Sequence, residues 1–370
     1  MSKAQGATYE GTRAYAERLS SITAAGHFRR AQQFCVSSIG LGTYLGHHDD
    51  VTDRMYQEAI KRAIELGCNV LDAAINYRFQ RSERAIGAAL KQLFDSGKAS
   101  REEIVVATKG GYFPFENEPP RDPRGWILEN IINTGAAQPQ DIVSGSHCMS
   151  PSYLENQLSQ SLQNLGLETI DIYYIHNPET QLDAVSRSEF LTRIRAAFDF
   201  LEQAVSDGRI QYYGTATWNG YRVSPEARSY LSLAELAEVA EDVAGESHHF
   251  RVVQLPYNLA MPEAFTTDNQ RLDGDSLTTL IAANKLGITV MCSATLLQSQ
   301  LSRNLPPFVA ETFDNLKTDA QRAIQFVRST PCVTTALIGM SQRSHAEENL
   351  LVAKVAPAAL EEFMKLFAGN

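Results

Sequence analysis

The sequence predicts an α/β protein folded as a (β/α)8 TIM barrel with extended loops at the C-terminal face. Short apolar runs rich in β-branched residues alternate with longer amphipathic runs, which indicates strands joined by helices. Runs such as Ile170–Ile175 are continuously apolar apart from Asp171, as expected of parallel strands covered on both faces. Eight such units with right-handed crossovers close most economically into a barrel. The predicted strands are Val36–Gly42, Asn69–Ala73, Ile104–Lys109, Ile170–Ile175, Ile210–Thr215, Val252–Leu255, Ile288–Ser293 and Thr334–Gly339.

The segments between these strands have helical spacing. In Met55–Leu66 the apolar residues recur on one face, and Gly67 marks the end of the helix. The alternative architecture, an open doubly wound sheet, requires a glycine-rich phosphate turn after an early strand. Gly40-Leu41-Gly42-Thr43 has two of the three glycines, so the barrel is favoured.

The chain is longer than a barrel requires. A typical barrel has about 250 residues, whereas this chain has 370. We expect a partly flexible leader over residues 1–30 and a single barrel domain over residues 31–370, with loop insertions at about 110–150 and 221–250. The insertions follow the third and fifth strands, so both emerge at the face of the barrel where loops usually carry function.

Composition excludes several classes of function. The 33 Lys and Arg against 43 Asp and Glu give a net charge of −10, which argues against a nucleic-acid surface. No apolar stretch is long enough to predict a membrane span. The five scattered cysteines argue against a disulfide framework and favour a reducing, cytoplasmic compartment. His47-His48-Asp49-Asp50 is interpreted as a solvated loop, and no metal site is predicted.

Four ionisable side chains lie at or just after the ends of consecutive predicted strands: Asp72, Tyr77, Lys109 and His176. Each alone could be a cap or a loop residue, but parallel strands of a barrel converge on one mouth. There Lys109 could stabilise the phenolate of Tyr77, Asp72 could keep Lys109 charged, and His176 could bind a substrate carbonyl.

The motifs around these residues resemble those of the aldo-keto reductase superfamily from about Ser37 to Leu351. The strongest match is Leu71–Tyr77 followed by Ser82–Gly87, similar to the family pattern Asp-x4-Tyr, Ser-Glu and Gly. Further matches are Ala107–Lys109, Leu165–His176, Gln254–Asn258 and Gly339-Met340 with Glu347-Glu348-Asn349. The resemblance implies that Asp72, Tyr77, Lys109 and His176 form the catalytic tetrad, with Tyr77 as general acid. It also implies NAD(P)H-dependent reduction of an aldehyde or ketone to an alcohol by hydride transfer.

The same resemblance implies a set of cofactor contacts. Ala216 and Thr217 stand where the family usually has the Ser and Asn that bind the carboxamide, whereas Gln254 is retained. Cys292 stands where a tyrosine would stack on the nicotinamide. The remaining implied contacts at the nicotinamide end are Gly42, Thr43, Tyr44, Asp72 and Ser293.

At the phosphate end, the resemblance places His345 where many relatives have an arginine for the 2′-phosphate of the cofactor, and Arg343, two residues earlier, could take that role. A strand end followed by a helix N-terminus offers free N–H groups to phosphate. We therefore expect NADP, with NAD as the alternative. The other implied contacts here are Gly339, Met340, Ser341, Glu348 and Asn349.

The substrate is expected to be a small-molecule carbonyl compound in a partly apolar pocket. The predicted pocket residues are Phe113, Phe115, Trp126, His147 and Trp218. Two alternative functions remain open: a non-catalytic nucleotide-binding regulatory subunit on the same fold, and a barrel lyase forming a Schiff base on Lys109. We expect a monomer or small homo-oligomer, with neither nucleic acid nor a membrane as partner.

Overall fold

The structure, a computed structural model, describes residues 6–367. Eight of its strands form a closed parallel barrel in the order β3, β4, β5, β6, β7, β8, β11 and β12, which confirms the predicted fold. The strands in chain order are β1 (Phe28–Ala31), β2 (Phe34–Ser37), β3 (Ile39–Gly42), β4 (Val70–Asp72), β5 (Val105–Gly110), β6 (Ile170–His176), β7 (Ile210–Ala216), β8 (Phe250–Pro256), β9 (Gln270–Leu272), β10 (Asp275–Leu277), β11 (Thr289–Ser293) and β12 (Thr335–Gly339).

All eight predicted strands contribute to the barrel, with one change. The predicted strand Val36–Gly42 is divided at Ser38, whose N–H donates to the carbonyl oxygen of His27 at 2.7 Å. Its first part, in β2, pairs with β1 in an antiparallel hairpin, and its second part is the barrel strand β3.

Helices cover the outside of the barrel. The predicted helix Met55–Leu66 begins earlier in the structure and covers Asp50–Glu65. Its N-terminus is capped by the Asp49 side chain, which accepts a hydrogen bond from Thr52 N–H at 2.7 Å. Within residues 6–367, no helix is long and apolar enough to cross a membrane. The α-helices are α1 (Tyr9–Leu19), α2 (Asp50–Glu65), α3 (Arg81–Asp95), α4 (Pro123–Ile127), α5 (Pro151–Leu165), α6 (Arg187–Ser206), α7 (Leu233–Ala244), α8 (Glu263–Thr266), α9 (Thr279–Lys285), α10 (Pro307–Thr312), α11 (Asp319–Ser329), α12 (Arg343–Asn349) and α13 (Leu360–Met364).

The strands have two apolar faces, as their continuous apolar sequences predict. Alternate residues such as Val70, Ile172 and Met291 fill the inside of the barrel. The intervening residues, including Leu71 and Cys292, pack between the barrel and its helices. Because apolar packing fills both faces of the strands, functional side chains are expected at the ends of the strands.

Much of the expected partly flexible leader forms helix α1 and the start of β1, whereas its residues 1–5 lie outside the described residues. Helix α1 is capped by Thr8, and the hydroxyl of buried Tyr15 donates to the carbonyl oxygen of Ile64 at 2.5 Å. Phe34 and Val36 of the adjoining hairpin join the core inside the barrel. This segment closes the end of the barrel opposite the loops.

The two predicted insertions differ in the structure. The first contains α4, a π-helical turn over Leu128–Ile132 and a 3-10 turn over Pro139–Asp141. The second, expected over 221–250, consists in large part of α7, the helix between barrel strands β7 and β8, so only the segment before it is additional. The β9–β10 hairpin after β8 was not predicted.

Candidate active site

The carboxyl ends of the barrel strands surround a cavity of about 440 Å³. Three of the four predicted catalytic side chains, Asp72, Tyr77 and His176, line it. The fourth, Lys109, is buried and bonded to Asp72. A larger, more open cavity of about 680 Å³ beside Arg187 shares no lining residue with it. The four side chains, which the sequence places at the ends of three successive strands, therefore meet at one mouth.

Lys109 and Asp72 form a buried ion pair. Lys109 Nζ lies 2.7 Å from Asp72 Oδ2 and donates a second hydrogen bond to the Ala73 carbonyl oxygen at 2.6 Å. Gln254 Nε2 donates to the other carboxylate oxygen, Asp72 Oδ1, at 2.7 Å. Burial lowers the pKa of Lys109, and the Asp72 carboxylate opposes that shift. The carboxylate thus keeps a cation in a site that would otherwise favour a neutral amine.

Tyr77 lies over this pair. Its ring centroid is 5.0 Å from Lys109 Nζ and 4.9 Å from the ring of Tyr44. Burial raises its pKa well above the ordinary value, and the Asp72 carboxylate adds to the rise. Lys109 Nζ faces the Tyr77 ring and is not among the groups that shift this pKa. This differs from the expectation that Lys109 stabilises the phenolate. No residue among those described forms a hydrogen bond with the Tyr77 hydroxyl, which is thus a protonated phenol facing the cavity.

His176 ends β6 on the other side of Tyr77, with ring centroids 5.7 Å apart. Burial lowers the pKa of His176 well below its usual value, and the positive charge of Lys109 lowers it further. The imidazole is therefore neutral at physiological pH. Its Nδ1 atom is buried without a hydrogen-bond partner among the described residues, and the ring of Tyr112 packs against it at 5.1 Å.

His147 does not line the cavity, contrary to its prediction as a substrate contact. It is fully buried, and its Nε2 donates to the carbonyl oxygen of His176 at 2.7 Å. Gln181 Nε2 donates to His147 Nδ1 at 2.8 Å. Gln181 Oε1 in turn accepts from Arg193 at 2.7 Å. His147 therefore supports the backbone of His176 from behind.

The expected cofactor contacts divide into those that line the cavity and those that are buried behind it. Cys292 is fully buried on the outer face of β11 and does not reach the cavity. Residues one position away in a strand point to opposite faces, so the side chain facing the cavity is that of the neighbouring Ser293. Met340 is likewise buried in the outer core. The expected contacts that do line the cavity are Gly42, Thr43, Tyr44, Asp72, Ala216, Thr217, Gln254, Ser293 and Gly339.

The hydroxyl of Thr217 is already engaged. It donates to Glu179 Oε1 at 2.5 Å and accepts from Gly220 N–H at 2.7 Å. The N–H groups of Trp218 and Asn219 donate to the same Glu179 oxygen. Burial raises the pKa of Glu179. Glu179 therefore holds the loop after β7 in place, and Thr217 serves that loop rather than offering a free hydroxyl.

The segment expected to bind phosphate lies beyond Gly339, at the start of α12. Arg343 Nε is 3.1 Å from Glu347 Oε1, which also pairs with Arg62 at 2.9 Å. These side chains are partly exposed, so the pairs are weak. His345 is exposed. Of the other residues expected here, Ser341 is half-buried, Glu348 is exposed and Asn349 is buried.

The aromatic residues of the first insertion form a core of their own. Phe113 is buried, the rings of Phe115 and Trp126 lie 4.8 Å apart, and all three pack with Ile131. None of these three aromatic side chains lines the cavity, in contrast to their predicted place in the substrate pocket. Trp218, predicted on the opposite wall, does line it and is 43% exposed.

Several lining residues were not singled out from the sequence. Asn76 lies inside the Asp72–Tyr77 motif, and Tyr112 and Asn177 follow the ends of β5 and β6, positions that the strand-end argument could have included. The loop after β11 gives no comparable signal. The unpredicted lining residues are Leu45, Asn76, Tyr112, Asn177, Ala294, Thr295, Leu296, Gln298, Ser299 and Leu337.

A closed parallel barrel with ionisable side chains at the carboxyl ends of its strands is the arrangement found in barrel enzymes. The model of the Aldo/keto reductase family matches residues 38–366. The chain belongs to the aldo/keto reductase family.

Known proteins are similar to different extents. The NADH-specific methylglyoxal reductase of Escherichia coli (strain K12) is 28% identical over 206 residues, 54% of this chain and 53% of the relative. The chain thus spans about half the length of that relative. The Schizosaccharomyces pombe protein "Putative voltage-gated potassium channel subunit beta" is 23% identical over 342 residues, 89% of this chain and 88% of the relative. The crystal structure of an aldo/keto reductase from Klebsiella pneumoniae in complex with NADP and acetate matches with TM-score 0.61 and 18% identity, over 93% of this chain and 95% of that one.

Proposed function

We propose that this protein reduces an aldehyde or ketone to an alcohol with a reduced nicotinamide cofactor. One observation carries the proposal: Tyr77 and His176 face a single cavity beside the buried Lys109–Asp72 pair. This set provides a proton donor, a neutral hydrogen-bond donor and a fixed charge around one point. A carbonyl group undergoing reduction needs all three.

The bound cofactor supplies a hydride for the carbonyl carbon. Tyr77 donates its hydroxyl proton to the carbonyl oxygen, and its raised pKa keeps that proton in place at neutral pH. His176 donates a hydrogen bond from Nε2 to the same oxygen and orients it. The Lys109 cation beside the cavity favours the negative charge that develops on the carbonyl oxygen, and Asp72 keeps Lys109 charged and directed.

The walls of the cavity fit a nicotinamide cofactor. The cavity runs between the neighbouring strand ends Gly42 and Gly339. A Cβ atom at Gly339 would meet nothing within 4 Å, so this end is open enough for an extended ligand. Gln254 donates to Asp72 through Nε2, so its Oε1 is the atom that can accept a hydrogen bond from the carboxamide. Because Ala216 has no polar side chain and Thr217 is engaged by Glu179, the backbone of their loop has to provide the remaining contacts.

We propose NADP rather than NAD as the cofactor. Arg343 and His345 are accessible beyond Gly339, where they can pair with a 2′-phosphate. The Klebsiella pneumoniae structure contains NADP, whereas the Escherichia coli relative is NADH-specific. Arg343→Ala should raise KM for NADPH by roughly 10-fold, because loss of one hydrogen bond to a charged group typically weakens binding by about that factor. The same variant should leave KM for NADH unchanged. An equal effect on both cofactors would contradict the assignment.

The test of activity is a panel of aldehydes and ketones, followed by loss of reduced-nicotinamide absorbance with NADPH and NADH in parallel. We expect turnover with at least one carbonyl class, and a loss of at least about 100-fold in kcat for Tyr77→Phe, which removes the proton donor and keeps the ring. A Tyr77→Phe enzyme as active as the wild type would refute the mechanism.

The engaged Thr217 hydroxyl favours one second candidate, a nucleotide-binding regulatory subunit with negligible turnover. The similarity to the Schizosaccharomyces pombe relative extends over most of both chains. Tight NADPH binding in a fluorescence titration, together with inactivity toward the whole panel, would support this candidate. We do not propose a Schiff-base lyase, because Lys109 is 1% exposed and its Nζ atom donates hydrogen bonds to the Asp72 carboxylate and the Ala73 carbonyl oxygen. Borohydride trapping of a carbonyl compound on Lys109 would reverse that judgement.

A further inference from the structure

The turn that follows Tyr77 has an unusual backbone. Arg78, Phe79 and Gln80 are three consecutive non-glycine residues in the left-handed region, with φ of 49°, 55° and 70°. A Cβ atom makes this conformation unfavourable, and it occurs mostly as single residues. Three in succession persist only when surrounding contacts hold them.

Arg78 has the most extensive contacts of the three. Its side chain is 2% exposed and forms an ion pair with Asp53 of α2. Its Nε donates to the carbonyl oxygen of His47 at 2.9 Å, and its guanidinium lies 5.0 Å from the centre of the Tyr56 ring. Arg78 therefore fixes the turn to both α2 and the loop after β3.

The other two residues contact the surrounding loops. The Phe79 ring packs edge-on against His48 with centroids 5.2 Å apart. Gln80 Nε2 donates to the carbonyl oxygen of Pro114 at 2.8 Å and to Glu116 at 3.0 Å, both in the first insertion. The turn thus joins the loop after β3 to the insertion after β5.

The position of Tyr77 depends on this turn. Its hydroxyl has no hydrogen bond from the described residues, so side-chain bonding does not fix it. Ring contacts with Tyr44 and His176 set its tilt. The backbone is held on one side by the bond from Tyr77 N–H to the Ala74 carbonyl oxygen at 3.0 Å. On the other side the chain continues into Arg78, and the Tyr77 carbonyl oxygen accepts a long hydrogen bond of 3.5 Å from Ser82 N–H across the turn.

We propose that Arg78 is a positioning residue for the proton donor: its buried contacts hold the left-handed turn and thereby keep the Tyr77 hydroxyl at the carbonyl site. This role rests on the proposed reductase function. It assigns a task to a residue that contacts neither the substrate cavity nor the four ionisable side chains of the mouth.

The test is Arg78→Gly. Glycine adopts the left-handed conformation without penalty, so a purely conformational role predicts an unchanged or improved enzyme. The positioning role predicts a fall in kcat of roughly 10- to 100-fold, as for small misplacements of a reacting group, with the Kd for NADPH unchanged. It also predicts a larger solvent isotope effect on kcat, because proton transfer becomes slower. Millimolar guanidinium should restore part of kcat by occupying the vacated space.

Two further variants keep the result interpretable. Asp273→Gly removes another left-handed non-glycine residue, φ 54°, in the exposed β9–β10 hairpin, and should leave kcat unchanged. If Arg78→Gly does not fold, Arg78→Lys keeps the charge but cannot reproduce the guanidinium geometry, and should show the same fall in kcat to a smaller degree. A folded Arg78 variant with kcat and isotope effect within twofold of wild type would overturn the positioning role alone. A wild-type enzyme inactive on the whole panel would overturn the reductase function and this role with it.

Discussion

The buried imidazole of His147 donates a hydrogen bond of 2.7 Å to the backbone carbonyl oxygen of His176. One histidine thus holds the main chain of another, whose ring faces the cavity. Gly111 passes so close to this contact that an added Cβ would lie 2.8 Å from His147 Nε2 and 3.0 Å from the His176 oxygen. The end of β6 is therefore fixed by hydrogen bonding and by close packing.

We expect His147→Phe to lower kcat by about 10-fold, because a His176 backbone without its donor is free to shift. The variant keeps an aromatic ring but leaves the His176 carbonyl oxygen and the Gln181 amide without the imidazole, which should cost about 1–3 kcal/mol of stability. Steady-state kinetics and urea unfolding measure the two effects. His147→Gln, which retains an N–H donor, is the matched control and should lie closer to wild type. Equal kcat values for the two variants would contradict the role of the hydrogen bond.

Acid should destabilise the protein from about pH 6.5 downward. Burial lowers the pKa of His27 and of His147 to about 4. Between about pH 6.5 and pH 4, these two histidines therefore bind protons in the unfolded chain but not in the folded chain. Stability contributed by these groups is full above pH 6.5 and is lost as pH falls toward 4. Each should account for about 1 kcal/mol between pH 7 and pH 5.5.

Urea unfolding at a series of pH values measures this slope. His147→Phe should reduce the slope, whereas substitution of the exposed His48 by Gln should not. A wild-type slope of zero over this pH range would contradict the lowered pKa values of the buried histidines.

Lys109→Met should destabilise the protein by roughly 3–5 kcal/mol, because it leaves the Asp72 carboxylate buried without its cation. The double variant Asp72→Asn with Lys109→Met removes both charges and should recover most of that loss while remaining inactive. Urea unfolding measures the stabilities, and the reductase assay measures activity. If Lys109→Met cost under 1 kcal/mol, the pair would not be the buried, mutually dependent unit described.

The chain has two tryptophans, and only Trp218 lines the cavity. In a Trp126→Phe variant, the emission of the remaining Trp218 should be quenched when NADPH is added. In a Trp218→Phe variant, Trp126 should report much less change, because it packs within the insertion. Stronger quenching of Trp126 would place the cofactor at the insertion instead of the mouth.

The barrel could be predicted because each of its strands is a nearly continuous apolar run. Such a run can be recognised from the residues of that strand alone. Helix α1 could not, since it buries only Gly11, Thr12 and Tyr15 and shows little apolar periodicity. The sequence predicts Phe113, Phe115 and Trp126 as pocket residues because they lie in a loop at the functional face, yet the insertion is long enough to bury them together. The resemblance implies Cys292 as a contact in the cavity, but the side chain that faces the cavity is that of Ser293, the next residue along β11. Which face of the barrel each residue occupies depends on the pairing with neighbouring strands, and the sequence alone does not give that pairing.

The closed end of the barrel joins the beginning of the chain to its end. Arg29 donates to the carbonyl oxygen of Val333 at 2.7 Å, 304 residues away, and Thr335 donates to that of Ser37 at 2.8 Å, 298 residues away. During synthesis, β3 has to wait for β12 before its second edge is paired. The barrel can therefore close only after β12 has left the ribosome, and until then the free edge of β3 is available for pairing with another chain.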